Sequence, residues 1–145
     1  DYALHLYASA DYLAAHPPIK QREQLREHRF VSYVDDLLFS KELIFLDELV
    51  KSNKANLRST SILAQQQAVA AGAGLAILPA FAARTDPRLC RVLAGDVSFT
   101  RTFWMLMPIE LKDIARMRSV WNFLREQAQA QQPVLLPMQD EEEEI

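Results

Sequence analysis

The 145-residue sequence predicts an α/β domain with a mixed, mostly parallel sheet flanked by helices. Three observations lead there. Short apolar runs that read as strands alternate with segments of helical spacing along the chain. The stretch "STSILAQQQAVAAGAGLAILP", Ser59 to Pro79, reads as a hydroxyl-capped helix, a glycine pair and a buried strand in direct succession. Near the end, "ELKDIARMRSVWNFLREQAQAQ" repeats Ile114, Met117, Val120-Trp121, Leu124 and Ala128 at the spacing of an amphipathic helix. A chain of this length supports one domain that hides roughly 70% of its unfolded surface.

The elements follow in order. Leu4, Leu6 and Ala8 alternate onto one face of an opening strand, and "SADYLAAH" is a short helix with Ser9 as its N-cap. Pro17-Pro18 end that helix. "KQREQLREH" is a short polar helix that leads into a buried strand at Phe30 to Val34. Asp35-Asp36 mark its end. "LLFSKELIFLDELVKS" is taken as helical on Leu43, Leu46 and Leu49-Val50, although Ile44-Phe45 suits a strand. "ANLRS" is a short strand before the Ser59–Ala71 helix, and "GLAILP" a strand after it. "AFAAR" makes a helical turn, "RLCRVL" and "TRTFWMLMP" are strands, and the Glu110–Gln129 helix follows. Pro133 ends that helix and opens a flexible acidic tail over 131–145.

Composition removes several function classes. Half the residues are hydrophobic and 24% are charged, the make-up of a soluble globular chain. No apolar run approaches the roughly 18 residues that span a bilayer. No signal-peptide pattern opens the chain, which points to the cytoplasm rather than export. The first residue is Asp, which suggests an excised or processed piece. Cys90 is the single cysteine, so no internal disulfide can form. Asp140 to Glu144 hold five of the nineteen acidic residues; without them, 14 acidic residues face 16 basic ones. That balance lacks the concentrated basic patch that displaces counterions from DNA.

Catalytic signatures are absent. His5, His16 and His28 fall in different elements and none has a metal-like i, i+4 partner. There is no nucleophile elbow and no phosphate-binding glycine loop. Cys90 alternates with apolar neighbours in a strand and reads as a packed small residue. Asp35-Asp36 read as turn-capping residues, since adjacent strand-end carboxylates point apart. Gly72 and Gly74 come after a helix, not before one. They therefore sit at its negative dipole end, and Gly72 reads as a C-cap and Gly74 as the turn into the strand. Ser59-Thr60-Ser61 stand at the other end, where one hydroxyl caps the helix. The remaining hydroxyls and free N–H groups either finish the turn or hold an anion. The stretch alone leaves both readings open.

The run "LRSTSILAQQQAVAAGAGLAILPAFAA" resembles the effector-binding domain of LysR-type transcriptional regulators. So do "LYASADYLAAHPPI" and "QLREHRFVSYVDD" before it, and "RLCRVLAGDVSFTRTFWMLMP" and "RMRSVWNFLREQ" after it. The resemblance spans residues 4 to 127. It implies a periplasmic-binding-protein-like type II fold of two lobes joined by two crossing strands, with a small effector bound between them. Residues 5–101 then form the second lobe, and residues 1–4 and 102–130 the hinge and the returning part of the first. "LHLYAS" and "TRTFWML" are the implied crossing strands. The family's N-terminal helix-turn-helix, its linker helix and the first half of lobe one have no counterpart, so DNA binding belongs to the parent protein. The returning helix would then expose its apolar face unless it repacks, swaps or meets a missing segment.

Carried over by position, the implied effector contacts are Tyr33, Val34 and Asp35 after one strand and Thr60, Ser61 and Ile62 at the helix start. Thr102 and Phe103 join them from the second crossing strand. For Tyr33 and Phe103, core packing is the competing role. The implied partners are a small-molecule effector, a carboxylate or an aromatic compound, and further copies of the parent protein. No cofactor, metal, catalytic activity or membrane contact is implied. The alternative function on the same fold is a solute-binding protein of a transport system.

Overall fold

The computed structural model describes residues 1–37, 49–50 and 55–137. The first strand, β1 (Tyr2–Ser9), is buried along its whole length. Tyr2, Leu4, Leu6 and Ala8 enter one hydrophobic cluster, while Tyr7 enters a second. Alternate side chains leave a strand on opposite faces. A strand buried on both faces must therefore lie inside a sheet covered on both sides.

The strand β2 spans Val31–Ser32, β3 Leu57–Arg58, β4 Ala76–Pro79, β5 Leu89–Arg91 and β6 Ser98–Arg101. β4 runs antiparallel along one edge of β1, from Tyr7↔Ala76 to Leu4↔Pro79. The other edge is shared: β5 pairs with Tyr7–Ser9 and β6 with Tyr2–His5, both antiparallel. β2 and β3 pair in parallel, and a parallel bridge from Phe30 to Leu75 sets them beside the lead into β4. The α/β character matches the sequence expectation, but parallel pairing does not dominate. Among the described residues it is confined to β2, β3 and that bridge. A parallel connection between neighbouring strands needs a crossover of about a dozen residues, and Ala80 to Arg88 is too short for one. β4 and β5 instead flank β1.

Local chemistry explains the helices. Ser9 caps α1 (Ala10–Ala15), its hydroxyl accepting from Tyr12 N at 3.2 Å. The polar segment after Pro17-Pro18 forms a 3-10 helix, Arg22–Glu27, whose Leu25 is buried. The helix α2 is Ile62–Ala70, capped by Ser61 rather than starting at Ser59. At its far end Ala71 is the C-cap and Gly72 takes φ 81°. Gly72 N donates to Val69 O at 2.9 Å and Ala73 N to Ala68 O at 3.0 Å. This is the Schellman arrangement, in which a left-handed glycine closes the helix. Gly74 does more than turn the chain. Its φ is 152°, and a Cβ there would stand 2.4 Å from the Arg29 carbonyl oxygen. That close approach lets Leu75 N donate to Arg29 O at 2.9 Å and Val31 N to Leu75 O at 2.8 Å.

The C-terminal part departs from expectation. The strand at "TRTFWMLMP" stops at Arg101, and residues 102–108 carry no regular structure. Its ladder stops at Tyr2, where β1 begins, and no other described strand takes its backbone groups. A 3-10 turn at Ile109–Leu111 precedes the expected amphipathic helix, α4 (Ala115–Ala130). None of its residues is buried. Its apolar face, with Val120, Phe123 and Leu124, is exposed together with Trp104 at 81% and Leu106 at 86%. This is the open face that the sequence resemblance implied. Pro133 does not open a tail at 131. It sits in the first turn of a short helix, α5 (Gln132–Leu135), where its missing N–H costs nothing. Leu135 then folds back against the first core cluster. The reading of residues 37–52 as helical falls almost wholly outside the described residues, as does 138–145 of the expected tail.

Two consequences are measurable. Gly74→Ala loses about 2 kcal/mol or more of unfolding free energy and Gly72→Ala about 1 kcal/mol, because only the first also forces backbone against backbone. Urea titration of the two variants gives the order, and an equal or reversed order contradicts the close-approach account. The exposed α4 face binds the dye ANS in the native state. Phe123→Glu with Leu124→Glu lowers that fluorescence while leaving the unfolding midpoint within a few degrees.

Candidate functional site

Because β2, β3 and β4 point the same way, their carboxyl ends open on one edge of the sheet. The antiparallel pairings bring the start of β1 and the end of β6 to that edge too, through Leu4↔Pro79 and Tyr2↔Arg101. In sheets with parallel strands, ligands bind outside the carboxyl ends, where helix N-termini also gather. Every expected contact residue lies along this edge, though by different local routes.

Ser59 N donates to Ser32 O at 3.0 Å, so the loop after β3 runs beside the loop after β2. Ser61 Oγ caps α2 by accepting from Ala64 N at 3.4 Å, and Ser59 Oγ accepts from Ser61 N at 3.1 Å. The buried Gln65 donates from Nε2 to Ser59 O at 2.8 Å, which holds the turn against the helix. Ser59 and Ser61 are therefore both occupied by structure, while Thr60 is exposed. The N–H groups of Ile62 and Leu63 have no intrahelical acceptor by construction of a first turn. The Ile62 side chain turns the other way and packs on the second core cluster.

Across the edge, Tyr33 is half-buried against the first cluster. Burial pushes its phenol pKa up, with Tyr2 adding to the shift, so the hydroxyl stays protonated and can donate. Val34 is half-buried, and its carbonyl accepts from Leu37 N at 3.0 Å in the following turn. Asp35 forms an ion pair with Arg58, and both are partly exposed. The pairing is across the β2 and β3 ends, so Asp35 acts in this structure as a tie between strands rather than a free carboxylate. At the start of β1, Thr102 Oγ1 donates to an Asp1 carboxylate oxygen. Phe103 stacks on Tyr2 with ring centroids 4.2 Å apart and planes 12° from parallel.

Two residues at this edge were missed in sequence: Tyr2 and Phe81. Phe81 meets Tyr2 edge-on at 6.0 Å and lies 6.5 Å from Phe103. Tyr2 is two residues before Leu4 on the same strand face, and that spacing was the available signal. Phe81 follows Pro79 in a one-turn helix, α3 (Ala80–Ala83), where nothing in the sequence separates it from ordinary packing. A groove of about 620 Å³ adjoins the edge, lined by Phe103, Trp104, Met105, Leu124 and Arg125 among others. Of the expected contact residues, Phe103 alone lines it.

The histidines also meet in a way that their spacing concealed. His16 stacks on Tyr12 at 3.9 Å, and the Tyr12 hydroxyl lies 3.3 Å from His28 Nδ1. Arg29 N donates to the same hydroxyl at 3.0 Å. Burial, and then the neighbouring His16, lower the His28 pKa, against a smaller raising effect of Glu27. Among the described residues no three His, Cys, Asp or Glu side chains are grouped to hold a metal ion. No described helix is long and apolar enough to cross a membrane.

Comparisons with known proteins agree with this fold. The family model described as LysR substrate binding domain matches residues 1–129. The regulatory domain of CrgA, a LysR-type transcriptional regulator from Neisseria meningitidis, is similar with a TM-score of 0.66 and 17% identity. That match covers 87% of this chain and 64% of the CrgA domain. The bromide-bound regulatory domain of HypT from Salmonella typhimurium gives a TM-score of 0.57 at 20% identity, covering 89% of this chain and 62% of HypT. Full-length AphB, a virulence activator of Vibrio cholerae, gives 0.51 at 23% identity, covering 68% and 35%. At these identities the structures establish the fold, and none of the three is an uptake protein. The chain spans less than two thirds of the CrgA and HypT domains. No curated protein sequence matches the chain.

Two local assignments can be measured. Ser61→Ala removes the α2 cap and costs about 1 kcal/mol. For His28, the folded pKa lies below its ordinary value near 6.5. The unfolded chain therefore takes up this proton first as pH falls. Stability is full above about pH 6.5 and is lost as pH drops from there through the folded value. His28→Gln flattens the dependence between pH 7.5 and pH 5, read as unfolding free energy in urea. An unchanged slope removes His28 as its source.

Proposed function

Because the chain belongs to the LysR substrate-binding domain family, we propose that it is the ligand-sensing part of a LysR-type transcriptional regulator. Residues 5–101 serve as the second lobe, and residues 1–4 with 102–130 as the hinge and the returning part of the first lobe. A small molecule binds between the lobes at the edge where the strand ends converge. The observation that supports the reading is the convergence of five strand ends, those of β2, β3, β4 and β6 with the start of β1, on one edge of the sheet.

The division of labour follows the chemistry. The Ile62 and Leu63 N–H groups, with Thr60, hold the effector's polar head at the positive end of α2, and Ser61 aims them by capping the helix. Tyr33 donates from its neutral hydroxyl, and Phe103 packs against the effector's body. Val34, Asp35 and Thr102 shape the wall through their turn, ion pair and hydrogen bond. The chain does no covalent chemistry; it converts binding into a preferred lobe arrangement, and the parent protein reads that on DNA through a helix-turn-helix. The open apolar face of α4 is covered by the rest of the regulatory domain. The setting is the cytoplasm, where the parent protein self-associates.

Calorimetric titration of the full-length polypeptide with a panel of small carboxylates tests the reading. At a hundredfold excess over its Kd, a true effector adds about 2.7 kcal/mol to unfolding free energy. Tyr33→Ala and Thr60→Val each weaken binding about tenfold, equivalent to one lost hydrogen bond to a charged group. Binding that neither substitution alters places the ligand elsewhere and sinks the site.

A further inference from the structure

The histidines around Tyr12 grip a point on which two strands depend. His16 stands at the C-cap of α1 and stacks on Tyr12 with planes 15° apart. Its Nδ1 donates to the Tyr12 carbonyl oxygen at 2.8 Å, because a carbonyl can only accept. His28 is buried just past the Arg22–Glu27 turn, with its ring centroid 6.2 Å from that of His16. The Tyr12 hydroxyl accepts from Arg29 N at 3.0 Å and directs its own proton at His28 Nδ1, 3.3 Å away. That assigns Nδ1 as an acceptor and places the proton of the neutral ring on Nε2. Arg29 is held from its other side as well. Its carbonyl accepts from Leu75 N at 2.9 Å, beside Gly74, whose missing Cβ permits the approach. The same contact sets Phe30 against Leu75 and so starts β2, the strand that leads to Tyr33.

We propose that Tyr12, His16 and His28 form a proton-operated latch on Arg29: a proton on His28 Nδ1 removes the acceptor of the Tyr12 hydroxyl, and the junction between α1 and β2 opens. The protonated ring carries a donor on each nitrogen, while the hydroxyl that it faces already accepts from Arg29. Among the described residues, the groups that face His28 fix the sign. From α1 and its cap come Tyr12, which donates, and His16, which opposes a second positive charge nearby. From the turn comes Glu27, which is exposed and favours the charge; Arg29, also exposed, enters through its N–H. Burial outweighs these effects and holds the closed His28 below its ordinary value. Once the latch opens, the ring meets water and returns to about 6.5. The closed state is therefore fully favoured above about pH 6.5 and loses ground as pH falls below it. The latch stands independently of the effector-site reading.

Native-state amide hydrogen exchange of the 145-residue polypeptide tests the latch, with each rate divided by its intrinsic chemical rate. Arg29 and Leu75 report the latch, and Leu6, at the centre of β1, reports global unfolding. Arg29 and Leu75 exchange through a local opening that low urea leaves unchanged, whereas Leu6 exchange rises with urea. From pH 7.5 to pH 5.5 the local opening increases by up to about tenfold, the ratio set by a group that titrates near 6.5 when open. His28→Asn offers an amide oxygen in place of Nδ1 without titrating, and it keeps the opening within about twofold across that range. Tyr12→Phe removes the hydroxyl and speeds Arg29 exchange about fivefold already at pH 7.5, the effect of one lost hydrogen bond. Unfolding midpoints in urea at pH 7.5 confirm that both variants are folded. If Arg29 and Leu75 share the urea slope of Leu6 at both pH values, the proton acts on the whole fold and the latch is overturned. A rise that persists in His28→Asn overturns it too, and the first comparison needs no variant.

Discussion

The structure depends on the two-sided burial of β1. Eight consecutive residues are withdrawn from water, so every backbone N–H and C=O along the strand needs a partner and both side-chain faces need a cover. Three strands answer the first need. β4 takes one edge, and β5 and β6 divide the other. The two hydrophobic clusters answer the second. Once β1 is set, the positions of Pro79, Arg101 and Leu89 follow from register. The edge where the expected contact residues meet is a consequence of that register.

The converging edge combines rigid and open parts in close contact. Ser61, Ser59 and Gln65 are committed to holding the α2 entry, and Asp35 is committed to Arg58. Such commitments look like a loss of binding capacity. Their effect is to aim the groups that remain, which are the first-turn N–H donors, the Thr60 side chain and the Tyr33 phenol. Preorganised donors cost less to use than donors that must first be ordered. The aromatic group around Tyr2 does the same for the apolar side of the edge.

Legibility in the sequence followed the range of the interaction. The Ser9 cap and the left-handed Gly72 that closes α2 are set within a few residues, and local pattern was enough to place them; that Ser61, among the three hydroxyls, is the α2 cap came from the structure. Gly74 was only half legible. Its place at a turn was evident, but its approach to Arg29 joins positions 45 apart and needed the fold. The histidine group around Tyr12 was hidden for the same reason, since His16 and His28 meet only after the Arg22–Glu27 turn brings them together. The segment 102–108 reads as a strand by composition, yet β-structure requires a neighbour, and β1 reaches back only to Tyr2, opposite Arg101. The residues of the site were reached through family resemblance by position. What that could not supply was Tyr2 and Phe81, whose roles come from ring geometry.

The sequence alone determined the α/β class, the Ser9 cap, the glycine closure after α2 and the amphipathic character of α4. These are properties of spacing and local hydrogen bonding, which a chain carries before it folds. Tertiary structure decided the direction of strand pairing, the Asp35–Arg58 tie, the Tyr2–Phe81–Phe103 group and the exposure of the α4 face. Each of these depends on which distant segments come to lie side by side. That is settled by the burial of β1 and the connections long enough to reach it, not by any residue's own preference.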